Sequence, residues 1–502
     1  MNLYTYLLAN ARPQDTAIVS RREAVTYGEL VAIAERIAFT LSEIGIGRGD
    51  RVGIVAENSA TWVASYLSIL KLGAVATPFP ARLSSEKLRQ LAELTQCRAV
   101  CADRTRVSQC AAHLSDMSVV VSLDGLFTGP AQPAGGEVIP VQSDFQGTCA
   151  TADVAERSDL AALMFTSGST GEPNAVKVSH RNIMANTASI VEYLGLGSDD
   201  RMMVLLPFDY CFGLSLLHTH LRVGGTLVLN NASQFAEDVL DDLEQFECTG
   251  FAGVPAIYQH FLRRSTLPRR ALPRLRHAQQ AGGKLANAHI TEFHSALPHV
   301  RFFVMYGQTE ATSRLSYLPP KLLDEKLGSI GRGIPGVSLR VLDASGRPVK
   351  PDEIGEIVAE GDNVTLGYWV PDPAKESFRD GRLYTGDLAR VDADGFIYLV
   401  GRISDFIKPS GHRISSKEIE DLLAEMPEIV EAAVVGVPDP DLGEAVKAYV
   451  VTRDGRELSV KQIHDHCRGR IPLYAIPRDV AFLPALPKNG AQKVLKRALP
   501  AQ

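Results

Sequence analysis

The sequence predicts an α/β protein of two or more domains, and three observations carry that reading. The chain has 502 residues, 45% of them hydrophobic, whereas a single hydrophobic core stops growing at roughly 250 to 300 residues. The first half alternates helical and strand periodicities, the rhythm of layered α/β proteins. From about residue 328, and again after Gly401, the texture changes, marking units built differently from the first.

The elements follow in order. Leu30, Ile33, Ile37, Leu41 and Ile44 recur at helical spacing behind Thr26-Tyr27, and Gly45 and Gly47 stop that helix. Arg51 to Ala56 (RVGIVA) reads as a short, mostly apolar strand. Ser59 can cap a helix carrying Trp62, Val63, Tyr66, Leu67 and Leu70, ended by Gly73 before a strand at Val75 to Thr77. The polar stretch Ser143 to Ser158 is a linker into the next strand. Beyond 328, GVSLRVLDASGRPVKPDEIGEIVAEG predicts a β-rich subdomain of hairpins over about 328–401, closing a large N-terminal unit, 1–401, of mixed sheets flanked by helices. Residues 402–502 hold a charged helix (SSKEIEDLLAEM), two strands (EAAVVGVPD and AVKAYVVT) and a helix starting near Ser459, enough for a small α+β domain.

Charge and composition narrow the function classes. With 52 Lys+Arg against 58 Asp+Glu, the net charge is −6, which offers no counterion-release drive toward nucleic acid. No apolar run approaches the roughly 18 to 20 residues of a membrane helix, and MNLYTYLLANARPQD lacks the layout of a signal peptide. The expectation is a cytoplasmic protein without stable membrane insertion. Cysteines 97, 101, 110, 149, 211, 248 and 467 show no repeated CxxC spacing, which argues against a zinc ribbon or a disulfide framework. His218-Thr-His220 and His464-Asp-His466-Cys467 fall in helical segments, where residues i and i+2 point apart rather than onto one ion. The sequence is silent on oligomeric state.

The strongest chemical signal is Leu163-Met-Phe-Thr-Ser-Gly-Ser-Thr-Gly-Glu-Pro173, an apolar strand running into six small residues. Small side chains let backbone N–H groups converge on an anion, and the hydroxyls of Thr166, Ser167, Ser169 and Thr170 add donors. No GK[ST] follows, so it is not a Walker loop, and Gly282-Gly283-Lys284-Leu285 fails the same test.

Four further segments share the chain with this loop: Tyr306-Gly-Gln-Thr-Glu310, Tyr384-Thr-Gly-Asp387, Gly401-Arg402 with Ile407-Lys-Pro-Ser-Gly411, and Lys488-Asn-Gly-Ala-Gln-Lys493. In order and spacing the set resembles the adenylate-forming superfamily, which includes acyl-CoA synthetases, adenylation domains of nonribosomal peptide synthetases, and luciferases. The resemblance implies an ATP- and Mg²⁺-dependent ligase. A small carboxylic acid would attack the α-phosphate to give acyl-AMP, and a thiol, from CoA or from the phosphopantetheine of an acyl carrier protein, would then take the acyl group.

It also implies roles. Thr166, Ser167, Gly168, Ser169, Thr170 and Gly171 would hold the β- and γ-phosphates, Thr309 would contact the α-phosphate, and Glu310 would bind Mg²⁺. Tyr306-Gly307 and Gly282-Gly283 would flank adenine, and Asp387 would accept from both ribose hydroxyls. Arg402 would contact ribose beside a hinge near 402–405, where the mobile C-terminal domain rotates to withdraw the catalytic Lys493 and present the Gly411 loop to the thiol.

Three departures from the family pattern fit a specialised biosynthetic ligase: Pro173-Asn174-Ala175 lacks the usual loop lysine, the hinge carries Ser404 beside Asp405, and Gln492 replaces the glycine before the lysine. The acyl pocket is expected around Asp209, Tyr210, Phe212, Gly213 and Val254. Without a basic group among these, a hydrophobic monocarboxylic acid is expected. Two alternatives stay open: Asp209 can read an amino acid by pairing with its ammonium, and, since no sequence feature decides the acceptor, an amine can take the acyl group in place of the thiol.

Overall fold

The computed structural model describes the chain apart from residues 115–118, 124–137, 142–144, 146, 167–173, 233–234, 372–376, 403–405, 410–411, 413, 441, 454–455, 457, 491 and 501–502. Two large sheets dominate. One has seven strands in the spatial order Val138–Pro140, Val119–Ser122, Ala99–Ala102, Arg51–Val55, Val75–Pro78, Leu160–Thr166 and Asn174–Ser179. All its pairings are parallel except the last. The other has nine strands; Thr16–Val19, Thr226–Leu229, Arg201–Val204, Gly250–Gly253, His277–Gln280 and Arg301–Tyr306 form its parallel centre. Parallel pairing needs crossover connections, and the helical segments read from the sequence supply them.

Local chemistry explains the helix starts. Thr26 closes a capping box with Glu29 ahead of Tyr27–Glu43, and the Ser59 hydroxyl accepts from the Trp62 N–H ahead of Ala60–Lys71. Helix Cys211–Val223 is buried at every position from Cys211 to Leu221, because apolar residues surround it where it lies within the main core. That burial fixes the residues at its N-terminal end, which face the site.

A five-stranded antiparallel sheet follows, built from Val337–Leu342, Ile354–Gly361, Phe378–Arg379, Arg382–Val391 and Ile397–Arg402, with its own apolar cluster around Ile357 and Leu383. The C-terminal unit pairs Ile429–Asp439 with Gly443–Thr452 and adds Asp479–Phe482 in parallel, over a core of Ile419, Leu423, Val434, Val450 and Ile463. Its helices Ser416–Leu423 and Val460–Cys467 occupy the expected segments, the latter capped by Ser459. The fold is therefore the mixed α/β architecture read from the sequence, a large N-terminal part with a smaller one behind it. Among the described residues no helix is long and apolar enough to cross a membrane.

Candidate active site

Strand Arg301–Tyr306 delivers the Tyr306-to-Glu310 motif at its C-terminal end, where ligand sites of parallel sheets form. Gly307 is required there. A Cβ at that position would lie 1.8 Å from the Ser313 carbonyl oxygen, so any side chain would push Gly307 away from the Ser313–Arg314 backbone. Tyr306 donates its hydroxyl to Asp387 Oδ2 at 2.6 Å, and Arg402 Nε donates to Asp387 Oδ1 at 2.9 Å. Asp387 and Arg402 are register partners on adjacent strands, which is why residues fifteen apart in sequence meet. Each carboxylate oxygen keeps a lone pair, so the doubly anchored Asp387 can still accept from a diol.

Glu310 sits in the short 3₁₀ turn Thr309–Ala311. Tyr368 donates to Glu310 Oε1 at 2.9 Å, while the backbone N–H and hydroxyl of Thr365 both bond the Glu310 carbonyl. These contacts fix one carboxylate oxygen and leave Oε2 for a hard cation, the donor type Mg²⁺ prefers. The Thr309 hydroxyl donates to Cys211 Sγ at 3.4 Å, tying the motif to the N-terminal end of helix Cys211–Val223.

The residues expected around the acid converge. Gly282 has φ +83°, and a Cβ there would meet Val254 Cγ1 at 2.8 Å and the Tyr210 hydroxyl at 2.9 Å, so these three residues are packed together. The Tyr210 and Phe212 rings lie edge to face, 6.5 Å apart. Gly213 admits close approach of Pro207, whose carbonyl oxygen would lie 2.1 Å from a Cβ. Asp209 is half-buried and forms no ion pair among the described residues, and burial pushes its carboxyl up to about 6.

Lys493 reaches the same place from the far end of the chain. Its Nζ lies 5.9 Å from the Tyr210 ring centroid. The lysine keeps solvent-accessible surface, yet protein surrounds its ammonium on most sides; that desolvation, reinforced by Arg402, lowers its pKa, while Cys211, Asp387 and Glu310 oppose the shift. A turn presents it: the Asn489 side chain accepts from the Lys493 N–H at 2.9 Å, and Gln492 adopts φ +61°. Glycine takes that conformation freely, so the glutamine departure costs on the order of 1 kcal/mol and leaves the delivery of Lys493 intact. Contacts with helix Pro255–Arg264 and its surroundings hold the C-terminal unit in place: Lys284 Nζ to Asp421 Oδ2 at 2.8 Å, His260 Nε2 to Glu431 Oε1 at 3.0 Å, and Arg453 Nε to the Arg263 carbonyl at 2.8 Å.

Other expected residues fall differently. Thr166 ends strand Leu160–Thr166, while Ser167, Gly168, Ser169, Thr170, Gly171, Ser404, Asp405 and Gly411 lie outside the described residues. Lys177 stands inside strand Asn174–Ser179, paired with Leu163. The histidine pairs do diverge: His218 bonds the Tyr66 hydroxyl and His220 its own helix at Leu216, while His464 and His466 bond the carbonyls of Pro477 and Leu422.

Sequence reading missed three residues. Tyr368 and Cys211 orient Glu310 and Thr309, and neither carries a local signal of that role. The third is Arg314, whose guanidinium packs 3.9 Å from the ring centroid of Phe212, one of the residues expected around the acid. Only its offset of four residues from Glu310 hinted at this.

Comparison with known proteins agrees with the geometry. The family model described as AMP-binding enzyme matches residues 8–369, and the model of the AMP-binding enzyme C-terminal domain matches 418–493. A feruloyl-CoA synthase from Amycolatopsis sp. is 32% identical over 97% of this chain and 96% of its own length. The o-succinylbenzoate CoA synthetase of Bacillus subtilis, solved with its acyl-adenylate OSB-AMP, superposes with a TM-score of 0.84 at 28% identity, covering 100% of this chain and 98% of that one; it has also been solved with ATP and a magnesium ion. The amide bond synthetase McbA of Marinactinospora thermotolerans gives a TM-score of 0.86 at 26% identity, covering 99% and 98%.

Proposed function

The chain belongs to the AMP-binding enzyme family, as an ATP-dependent ligase that joins a carboxylic acid to CoA, and from that premise we propose which residues carry each part of the reaction. The observation that carries the proposal is the convergence of Lys493, Tyr210, Glu310, Asp387 and Arg402 on one cleft from widely separated stretches of chain.

In the first half-reaction an acid oxygen attacks the α-phosphorus of ATP and the bond to pyrophosphate breaks. Such chemistry asks the protein for positioning and charge neutralisation. Lys493 holds its ammonium where the incoming carboxylate and the α-phosphate oxygens crowd together, and Thr309 donates to the same phosphate. Glu310 would hold Mg²⁺, which would supply charge neutralisation to the phosphates. Asp387 accepts from the ribose diol, with Tyr306 and Arg402 fixing its two oxygens. Thr166 and the loop through Gly171 wrap the leaving phosphates. Tyr210, Phe212, Gly213, Val254 and Gly282 form the wall against the acyl chain, and Gly283 and Gly307 flank the base.

In the second half-reaction the thiol sulfur attacks the acyl carbon and AMP leaves. Residues 1–401 form the binding unit and 402–502 a lid turning near 402–405, so that withdrawal of Lys493 brings the Gly411 loop to the thiol channel. A carrier-protein phosphopantetheine offers the same thiol as CoA and is a second acceptor of this kind.

The test is pyrophosphate release across an acid panel with ATP and Mg²⁺, repeated with CoA, a holo carrier protein or free amines. Acid-dependent release with thioester as product is the expected result. Absence of any acid-dependent release sinks the residue assignment, and consumption of the adenylate by amines alone transfers the enzyme to the amide-forming class to which McbA belongs. Release only with α-amino acids, lost in Asp209→Asn, would assign Asp209 to an ammonium.

A further inference from the structure

We propose that Arg314 selects an acid carrying a second carboxylate at the end remote from the reacting one; the inference rests on the acid-activating reading above. Arg314 is held by its backbone. The Asn186 carboxamide donates to the Arg314 carbonyl at 2.9 Å and accepts from its N–H at 3.3 Å, and Asn363 Nδ2 donates to the same carbonyl at 3.0 Å. With the backbone fixed, the side chain is 1% exposed and lies over Phe212. The aromatic pair Tyr210–Phe212 therefore runs between two cations, Lys493 over Tyr210 at 5.9 Å and Arg314 over Phe212 at 3.9 Å.

The hydrogen bonding of the guanidinium is incomplete in a specific way. Nη1 donates to Ser313 Oγ at 2.6 Å, whereas the buried Nε and Nη2 have no hydrogen-bond partner among the described residues. Those two nitrogens are the side-on edge of arginine, the fork that grips both oxygens of a carboxylate. No carboxylate of the described protein pairs with it. Its neighbours are Tyr193, Cys211 and Tyr210; the Tyr193 hydroxyl interacts with the guanidinium but is directed to Met305 Sδ at 3.0 Å, and none of the three is a carboxylate. A buried cation without counter-ion is costly, and the Phe212 face offsets only part of that cost. Leucine or methionine would fill the volume without it. A ligand carboxylate supplies the missing charge and both missing acceptors, and the aromatic wall sets the hydrophobic span between the two acid groups.

The test compares matched acids in acid-dependent pyrophosphate release with ATP, Mg²⁺ and CoA: straight-chain and benzene-ring diacids, their monomethyl esters, and methyl-terminated acids of equal length. For the wild type, kcat/KM favours the best diacid over its uncharged partner by roughly tenfold to a hundredfold. Arg314→Leu removes that preference chiefly through the KM of the diacid, leaves the KM of ATP unchanged, and gains on the methyl-terminated acid; Arg314→Lys keeps part of the preference. Should Arg314→Leu not fold, the Arg314→Lys ratio decides. A wild type that prefers monoacids, or a variant that loses activity equally on every acid, overturns the proposal while the acid-activating reading stands. Absence of pyrophosphate with every acid, in the wild type too, overturns that reading and this proposal with it.

Discussion

Lys493→Ala slows acid-dependent acyl-AMP formation by roughly 10² to 10³, the loss that follows removal of one preorganised charge from a transition state. Formation of thioester from synthetic acyl-AMP and CoA stays within a few fold of wild type, because the lysine serves the step in which charge builds on the α-phosphate. Thermal stability is also unchanged: Lys493 makes no ion pair among the described residues, and its turn is held by Asn489 through the backbone. The pH profile adds an independent sign. Its pKa is lowered by desolvation and by Arg402, so the ammonium is lost earlier on the alkaline side than a free lysine would lose it. The first half-reaction therefore declines as pH rises toward that shifted value, and Lys493→Arg moves the decline upward. An alanine variant that forms acyl-AMP at the wild-type rate removes Lys493 from the mechanism.

Acid destabilises this protein steeply below about pH 6.5, through four buried histidines. His180, His218, His220 and His289 are all at most 3% exposed, and burial pushes them down to about 4, 3, 4 and 4. Asp159 beside His180, Asp200 beside His220 and Asp421 beside His289 favour a second proton, but desolvation outweighs them. His180 Nδ1 already accepts from the Leu3 N–H at 3.1 Å, and the Nε2 atoms of His180, His220 and His289 have no partner. The unfolded chain protonates these rings near 6.5 while the native one does not, so the unfolded state binds more protons and stability falls as pH falls. It is complete above 6.5 and lost progressively toward 4. Four protons correspond to a slope of at most about 5 kcal/mol per pH unit. Urea midpoints measured between neutrality and about pH 5 should drop accordingly, and His218→Gln should flatten the slope by about one proton. A flat profile over that interval contradicts the burial of these rings.

What the sequence disclosed and what it hid have physical reasons. Helix starts were readable because a cap is a local device: Thr26, Ser59 and Ser459 each announce a helix within three residues of themselves. The phosphate loop was readable because a run of small, hydroxyl-bearing residues suits an anion on its own, whereas Glu310, Asp387 and Lys493 gained roles only through the family resemblance of the ordered motifs. Tyr368 escaped notice because its role lies wholly in a partner 58 residues away, Glu310. Arg314 escaped because a single arginine after the motif looks like a surface charge until Asn186 and Asn363 are seen clamping its backbone inside the core. Gln492 looked like a defect at the lysine turn, and its left-handed φ shows the glycine conformation retained at modest cost.

The most direct test of the central claim, one cleft that first adenylates an acid and then thioesterifies it, is a rapid-quench experiment on the wild type with radiolabelled ATP, Mg²⁺ and a competent acid. Without CoA, enzyme-bound acyl-AMP and pyrophosphate should accumulate in a burst equal to the concentration of active sites. Addition of CoA should then discharge the acyl-AMP to thioester and AMP. ATP cleavage that yields no acyl-AMP, or an acyl-AMP that CoA leaves untouched, would contradict the account.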